Sequence, residues 1–414
     1  MLKRIAALLL AAVLCLGGMT AMGESLYFGK DAGEAWYQDL LRDAQMRMGN
    51  NRRLKNVIRR ALAGEKTTVA FIGGSITEGA GAAQYKECYA YRTFQGFRER
   101  FGAGDKTNVR CVNAGVGGTA STFGFMRYQR DIVDRVEDDD GLPDLVVIEF
   151  AVNDYQEPTK HRCYESMVKT ILEQENAPAV ILLFAVFDGG FNLQDEIRKI
   201  GDAYDLMMVS IKDGAYPHVG KEWTKEEFFF DQYHPTSLGH AVMADCLLAA
   251  IDAAWAAEES PADADLDVPP AYGTDYRGLI TVYADGDHAD IRLDRGGFSG
   301  DDANSYRNQP VGRVCGENFF HDADCGNAPL RFTAVFKKLL IAWRAVNDPQ
   351  YGAAEIWVDG KLKRTVAGGE GKWGQSEVVM IFDAKEALEH TVEIRMAEGS
   401  EHKKFTVTCF AYAP

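Results

Sequence analysis

A strand that is apolar on both faces must be covered on both faces, and Thr67-Thr68-Val69-Ala70-Phe71-Ile72 is such a run. Strands of that kind belong to parallel sheets flanked by helices. Similar runs recur at 109–113, 145–150, 180–185 and 206–210. Helical periodicity fills intervals at 91–101, 123–136 and 164–174, and an alanine-rich helix closes the series at 236–255. The alternation predicts an α/β domain of three layers, α/β/α, around a five-stranded parallel sheet.

At 414 residues the chain exceeds one ordinary domain. After Trp255 the composition changes to Glu258-Glu259-Ser260-Pro261-Ala262-Asp263, then Pro269-Pro270, which reads as a connector. Beyond it come short alternating strands at 279–283, 354–358, 391–396 and 405–412, with Asp359-Gly360 as a two-residue hairpin turn. An all-β sandwich of jelly-roll type is expected there. The resulting division is a leader at 1–23, a helical extension at 24–64, an α/β domain at 65–257, a linker at 258–275 and the sandwich at 276–414.

The leader reading rests on Lys3-Arg4, an apolar stretch at 5–16 and small residues at Ala21 and Gly23, the pattern of a cleaved secretory signal. Export with a mature start near Glu24 and no membrane insertion is expected. Cys15 follows the bulky Leu14, which disfavours lipidation. The seven remaining cysteines have no zinc-ligand spacing; Cys315 and Cys325 flank a polar loop and are near enough in sequence to be bridged. The formal charge of −16 becomes −18 once Lys3 and Arg4 leave with the signal. Such a surface excludes nucleic acid and anionic membrane as partners and suits a neutral substrate. The basic cluster Arg52, Arg53, Lys55, Arg59 and Arg60 reads as the solvated face of a helix.

The first strand ends in Gly73-Gly74-Ser75, which presents one serine at the carboxyl edge of the sheet, where open parallel sheets bind ligands. A hydroxyl needs a base to become a nucleophile. Asp231-Gln232-Tyr233-His234-Pro235 supplies one: Pro235 suits a first helical turn, His234 falls at a loop-to-helix junction, and Asp231 can accept from Nδ1 while Nε2 faces the serine. Acyl transfer also needs donors aimed at a developing oxyanion. Gly118, in the glycine loop after the second strand, offers a backbone N–H, and Asn153, after the third, a side-chain amide. The glycine loop lacks the Gly-Lys-Ser/Thr ending of a phosphate loop. His240 falls inside the last helix and reads as structural. A serine esterase needing no metal or organic cofactor is the expectation.

Four separated blocks, Gly73-Gly74-Ser75, 113–118, Asn153-Asp154 and Asp231-x-x-His234, resemble in order the motifs of the SGNH hydrolases, or GDSL esterases and lipases, over about residues 65–255. The resemblance implies a flavodoxin-like α/β/α domain with Ser75 as nucleophile, His234 as base and Asp231 as its orienting acid. It implies an oxyanion hole from the Ser75 and Gly118 N–H groups and the Asn153 side chain. Gly74 stands where many members have Asp, and Ala151 where the third block usually has Gly. The α/β-hydrolase elbow is disfavoured because Thr77 occupies the position where glycine would follow the serine.

An exported acidic enzyme with an added sandwich is similar, within that family, to bacterial esterases that remove O-acetyl groups from polysaccharides or oligosaccharides. Gly74, Tyr91, Arg92, Arg127 and Asp154 are candidate substrate contacts, with Tyr85, Tyr89 and Tyr128 as neighbouring aromatics; Glu149 and Asp154 can instead orient other groups. Trp343, Trp357 and Trp373 are candidates for a sugar platform or for the sandwich core. Two rival readings stand beside this one: a lipase, lysophospholipase or thioesterase on longer acyl chains, and an inactive glycan-binding protein.

Overall fold

A computed structural model describes residues 27–137, 141–286, 291–303, 308–309, 312–313, 317–371 and 375–414. The leader, Cys15, Cys315 and Trp373 lie outside the described residues, and with them the signal-cleavage, lipidation and disulfide readings.

Strands β1 (Thr67–Gly73), β2 (Val109–Gly115), β3 (Leu145–Glu149), β4 (Ala179–Phe184) and β5 (Met207–Ser210) form one parallel sheet in the order β2-β1-β3-β4-β5. Every residue of β1, β3, β4 and β5 is buried, as apolar runs on both faces require. Alternate side chains divide between the faces. Val69, Phe71, Val147, Ile181 and Val209 share a core with helices Arg52–Leu62, Tyr89–Phe101 and Ser237–Ala256. Ala70, Ile72, Val146, Leu182 and Met208 pack with helices Ser121–Asp131, Arg162–Leu172 and Gln194–Ala203. Strand order reverses between β1 and β3, so the carboxyl ends of β1, β2 and β3 converge on one crevice.

Helix Ser237–Ala256 is long and apolar enough to cross a membrane, yet most of it is buried in this core. The basic cluster beside it is not a solvated face. Lys55 Nζ donates to the carbonyls of Trp255 at 2.7 Å and Ala257 at 2.6 Å. Arg52 donates to the carbonyls of Ser260 and Pro261, while Arg53 and Arg59 pair with Asp263 and Glu259. The last carbonyls of a helix have no partners within it and carry partial negative charge, so cations are drawn there. The same interactions lay the segment after the helix along the α/β domain. Further on, the Glu165 carboxylate accepts N–H groups from Ala271, Tyr272 and Gly273 at 2.6–2.8 Å.

In the C-terminal part β6 (Ile280–Val282), β7 (Arg292–Asp294), β10 (Phe319–His321), β11 (Leu330–Ala345), β12 (Ala353–Val358), β13 (Lys361–Ala367), β14 (Gln375–Met396) and β15 (Phe405–Ala413) make one eight-stranded sheet. A two-residue pair, β8 (Asn308–Gln309) and β9 (Gly312–Arg313), stands apart. The long strands β11 and β14 serve both layers of the sandwich. The first half of β11 pairs with β7 and its second half with β15, and the register shifts between Phe336 and Lys338 and between Leu339 and Leu340 let it bend. Phe332 and Phe410 stack at 4.0 Å inside. The hairpin at Asp359-Gly360 has φ of 51° and 71°, the positive pair a tight two-residue turn demands.

The sandwich docks on the second helical face. Leu340, Ala342, Cys409 and Ala411 join Phe125, Met126 and Tyr276 in one buried cluster. Beside it Arg162 pairs with Asp275 at 2.9 Å and Asp383 at 2.7 Å, and Lys338 pairs with the same two carboxylates.

Candidate active site

The crevice receives its first reactive group from a sharp strand-to-helix turn. β1 ends at Gly73, and Ser75 opens the one-turn helix Ser75–Glu78, closed by bonds from Glu78 N to Gly74 O and from Gly79 N to Ser75 O, both 3.0 Å. A Cβ on Gly74 would stand 2.3 Å from Asn153 Oδ1, so the absence of a side chain there lets the Asn153 carboxamide lie against the turn.

His234 reaches Ser75 from the opposite wall, with Nε2 2.9 Å from Ser75 Oγ. Its Nδ1–H donates to Asp231 Oδ2 at 2.9 Å, leaving Nε2 as the acceptor for the serine hydroxyl. Asp231 Oδ1 also accepts the N–H groups of Tyr233 at 2.7 Å and His234 at 2.8 Å, so one carboxylate sets both ring and backbone. Burial raises the Asp231 carboxyl, but the His234 ring and these N–H groups outweigh it and hold it below the usual carboxylate range. Pro235 is not in the first helical turn as expected. It forms a bridge with Phe229, Thr236 caps the helix that starts at Ser237, and His234 is held in a clip closed by Phe230 N to His234 O at 2.8 Å.

The glycine loop after β2 is tied to the same turn. Val116 N donates to Gly73 O at 3.1 Å and Gly117 N to Glu78 Oε2 at 2.5 Å. Gly118 follows, exposed, with φ of +69°, a conformation that favours glycine. After β3, the N–H groups of Asn153 and Asp154 both donate to Phe150 O, making the tight turn that brings the Asn153 side chain to Gly74. Ser75, His234, Asp231, Gly118 and Asn153 thus come from loops at the carboxyl ends of the sheet, separated by up to 159 positions in the chain.

Residues 71–242 match the model of the GDSL-like lipase/acylhydrolase family. Over these residues the α/β domain is similar to that family. Two solved structures of a two-domain esterase (CEX) active on acetylated mannans, one of them co-crystallised with mannopentaose, are similar to this chain through both of its domains. Each is 26% identical and covers 90% of this chain; 97% and 98% of the esterase chains are covered, with TM-scores of 0.74 and 0.75. No curated protein matches the chain. The chain is a carboxylic ester hydrolase with a second, all-β domain.

Most candidate substrate contacts in the hydrolase turn out to be supports. Arg127 is fully buried: Nη1 donates to Ala114 O at 2.5 Å and pairs with Asp131, and Nη2 donates to Gly73 O at 3.2 Å. It clamps the ends of β1 and β2 and cannot reach a substrate. Asp154 is buried and accepts Ser121 N and Oγ, both at 2.7 Å, which caps helix Ser121–Asp131. Arg92 lies over Phe28, 5.4 Å from the ring centre, and Tyr91 packs against Tyr85 and Phe94. Tyr89 and Tyr128 are buried. Gly74 stays at the site through its contact with Asn153.

Two buried groups underlie the hydrolase site. His240 Nδ1 accepts Tyr89 N–H at 3.2 Å while Nε2–H donates to Ala80 O at 3.0 Å, tying the last helix to the loop after Ser75; burial pushes this imidazole down to about 4. Glu149, paired with Gly73 across the sheet, receives only a 3.3 Å bond from Thr77 Oγ1, and its Oε1 is buried without a partner. Burial, opposed weakly by Thr77, pushes its carboxyl up to about 8. In the sandwich, Trp343 Nε1 donates to Ala367 O, and the ring lines a groove with Gln156 and Pro158 of the α/β domain. Trp357 sits apart under Arg395.

Proposed function

We propose that this esterase is an exported O-acetyl esterase acting on a neutral polysaccharide or oligosaccharide, with acetylated mannan as the first substrate to test. The observation that carries this reading is the likeness to an acetylated-mannan esterase through both domains, 90% of the chain. The acidic surface agrees with a neutral polymer.

In this reading Ser75 Oγ attacks the acetyl carbonyl while His234 Nε2 takes its proton. Asp231, kept ionised by its hydrogen bonds, holds the imidazole by Nδ1 and stabilises the imidazolium. The Ser75 and Gly118 N–H groups and the Asn153 amide receive the oxyanion. The tetrahedral intermediate collapses as His234 gives its proton to the sugar oxygen, releasing the alcohol and leaving Ser75 acetylated. Water then attacks with His234 again as base, and acetate leaves.

The test is acetate release from acetylated mannan and acetylated xylan, beside nitrophenyl acetate and octanoate, with Ser75→Ala as the blank. The wild type is expected to deacetylate a polysaccharide, and the variant to lose at least about 10³-fold in kcat while staying folded. Preference for octanoate, or release that persists without Ser75, overturns the reading.

A further inference from the structure

The surface running away from His234 is aromatic. Tyr233 lies 6.2 Å from the His234 ring, Phe187 5.1 Å from Tyr233, Phe191 5.9 Å from Phe187 and Tyr155 6.2 Å from Phe191, centre to centre. These rings come from three loops and make one ridge ending two residues beyond Asn153. Tyr155 is 65% exposed and Phe191 39%, and with Phe230 they are the exposed large aromatics among the described residues. An exposed apolar patch of this kind marks a contact surface.

The ridge is held in place before any ligand arrives. Phe187 N donates to Phe191 O at 3.1 Å, Asp188 N to Gln232 O at 3.3 Å, and Leu193 N to Ala151 O at 2.8 Å. The loop carrying Phe187 and Phe191 is thereby stitched to the His234 loop on one side and the Asn153 loop on the other. Tyr216 OH, donating to Asp188 O at 2.8 Å, fixes it from below.

We propose that this ridge is the subsite for the sugar chain bearing the ester, with Tyr155 and Phe191 stacking on pyranose faces; the proposal rests on the function above and names where the leaving alcohol binds. The position follows from the chemistry. His234 must give its proton to the departing sugar oxygen, so the alcohol side of the ester lies beside Nε2, where the ridge begins. The occupant follows from shape and charge. An acyl chain calls for an enclosed slot, whereas Tyr155 and Phe191 stand open to solvent, and the sequence neighbours of the ridge, Asp188 and Asp231, bring carboxylates paired with Lys225 and His234 rather than a cationic face for an anionic polymer. Apolar ring faces with polar neighbours such as Gln156 and Gln232 fit a neutral carbohydrate.

The test compares Tyr155→Ala, Phe191→Ala and the double variant with wild type on acetylated mannan and on nitrophenyl acetate and octanoate, which have no sugar. The ratio of kcat/KM for mannan to that for nitrophenyl acetate is expected to fall about tenfold per ring removed, chiefly through KM. Phe191→Trp is expected to restore it, and Leu388→Ala, an exposed change on the sandwich, to leave it unmoved. An unchanged ratio in the double variant overturns the subsite, as does a selective loss on nitrophenyl octanoate, which would make the ridge an acyl site. The wild-type arm separates the two claims: no acetate from any polysaccharide rejects the function itself, whereas mannan activity indifferent to the rings rejects the subsite alone.

Discussion

In the proposed mechanism Ser75 depends on His234, 2.9 Å away, and His234 on Asp231, also at 2.9 Å, so the site is expected to be sensitive to small changes. Gly74→Ala puts a methyl group against the Asn153 carboxamide. Since that carboxamide is a side-chain end, it moves aside at little structural cost, and the proposed oxyanion donor is displaced. We expect kcat to fall about 10²-fold with little change in KM or thermal midpoint, measured by steady-state kinetics on nitrophenyl acetate. Glu149 predicts a pH effect on stability. Its folded-state value, about 8, stands above the ordinary 4.5. Below pH 4.5 both states hold the proton; as pH rises toward 8 the unfolded chain ionises and the folded one does not, so stability falls. Glu149→Gln should abolish that slope and gain on wild type by on the order of 4 kcal/mol across this range. Denaturant titrations at pH 5 and pH 8 giving the same difference would contradict it.

At the scale of the element, helix Ser237–Ala256 couples the site to the rest of the domain. Its start is fixed by Thr236 and the clip around His234, its first turn by His240 against Tyr89 and Ala80, and its end by Lys55. Removing the Lys55 ammonium leaves two helix-end carbonyls without their donor. Lys55→Met is expected to cost about 2 kcal/mol of stability while kcat per folded molecule stays within twofold, because the change lies at the far end of the helix from His234. Chemical denaturation paired with active-site titration checks both halves. The basic cluster was legible as a helix from its sequence, but its partners were not, since they lie some 200 residues away.

At the scale of the molecule, the sandwich and the α/β domain share a core rather than a hinge. Leu340 and Ala411 are buried with Phe125 and Met126, and Arg162 and Lys338 bridge the domains through Asp275 and Asp383. A burial shared this way is expected to couple the stability of the two parts. We expect a single calorimetric transition for the intact chain, and a chain cut after Ala257 to be aggregation-prone, having exposed the apolar face of helix Ser121–Asp131. Two well-separated transitions, or a soluble and equally stable truncated domain, would show that the domains are independent.

The sequence alone determined the layered sheet, because strands covered on both faces must be apolar throughout, and it determined Ser75, Asp231 and His234 as candidates, because serine after a strand-ending glycine pair and a carboxylate three residues before a histidine are patterns local to a few positions. Tertiary structure decided what depended on distant partners. Arg127 reads as a candidate substrate contact until Gly73, Ala114 and Asp131 are seen to enclose it. Asp154 reads as a possible contact until Ser121 takes both of its oxygens. The aromatic ridge has no sequence signature, since Tyr155, Phe191 and Tyr233 belong to three loops and meet only where the sheet gathers its carboxyl ends. Periodicity records which face of an element is buried; it carries no record of which remote group will stand against it.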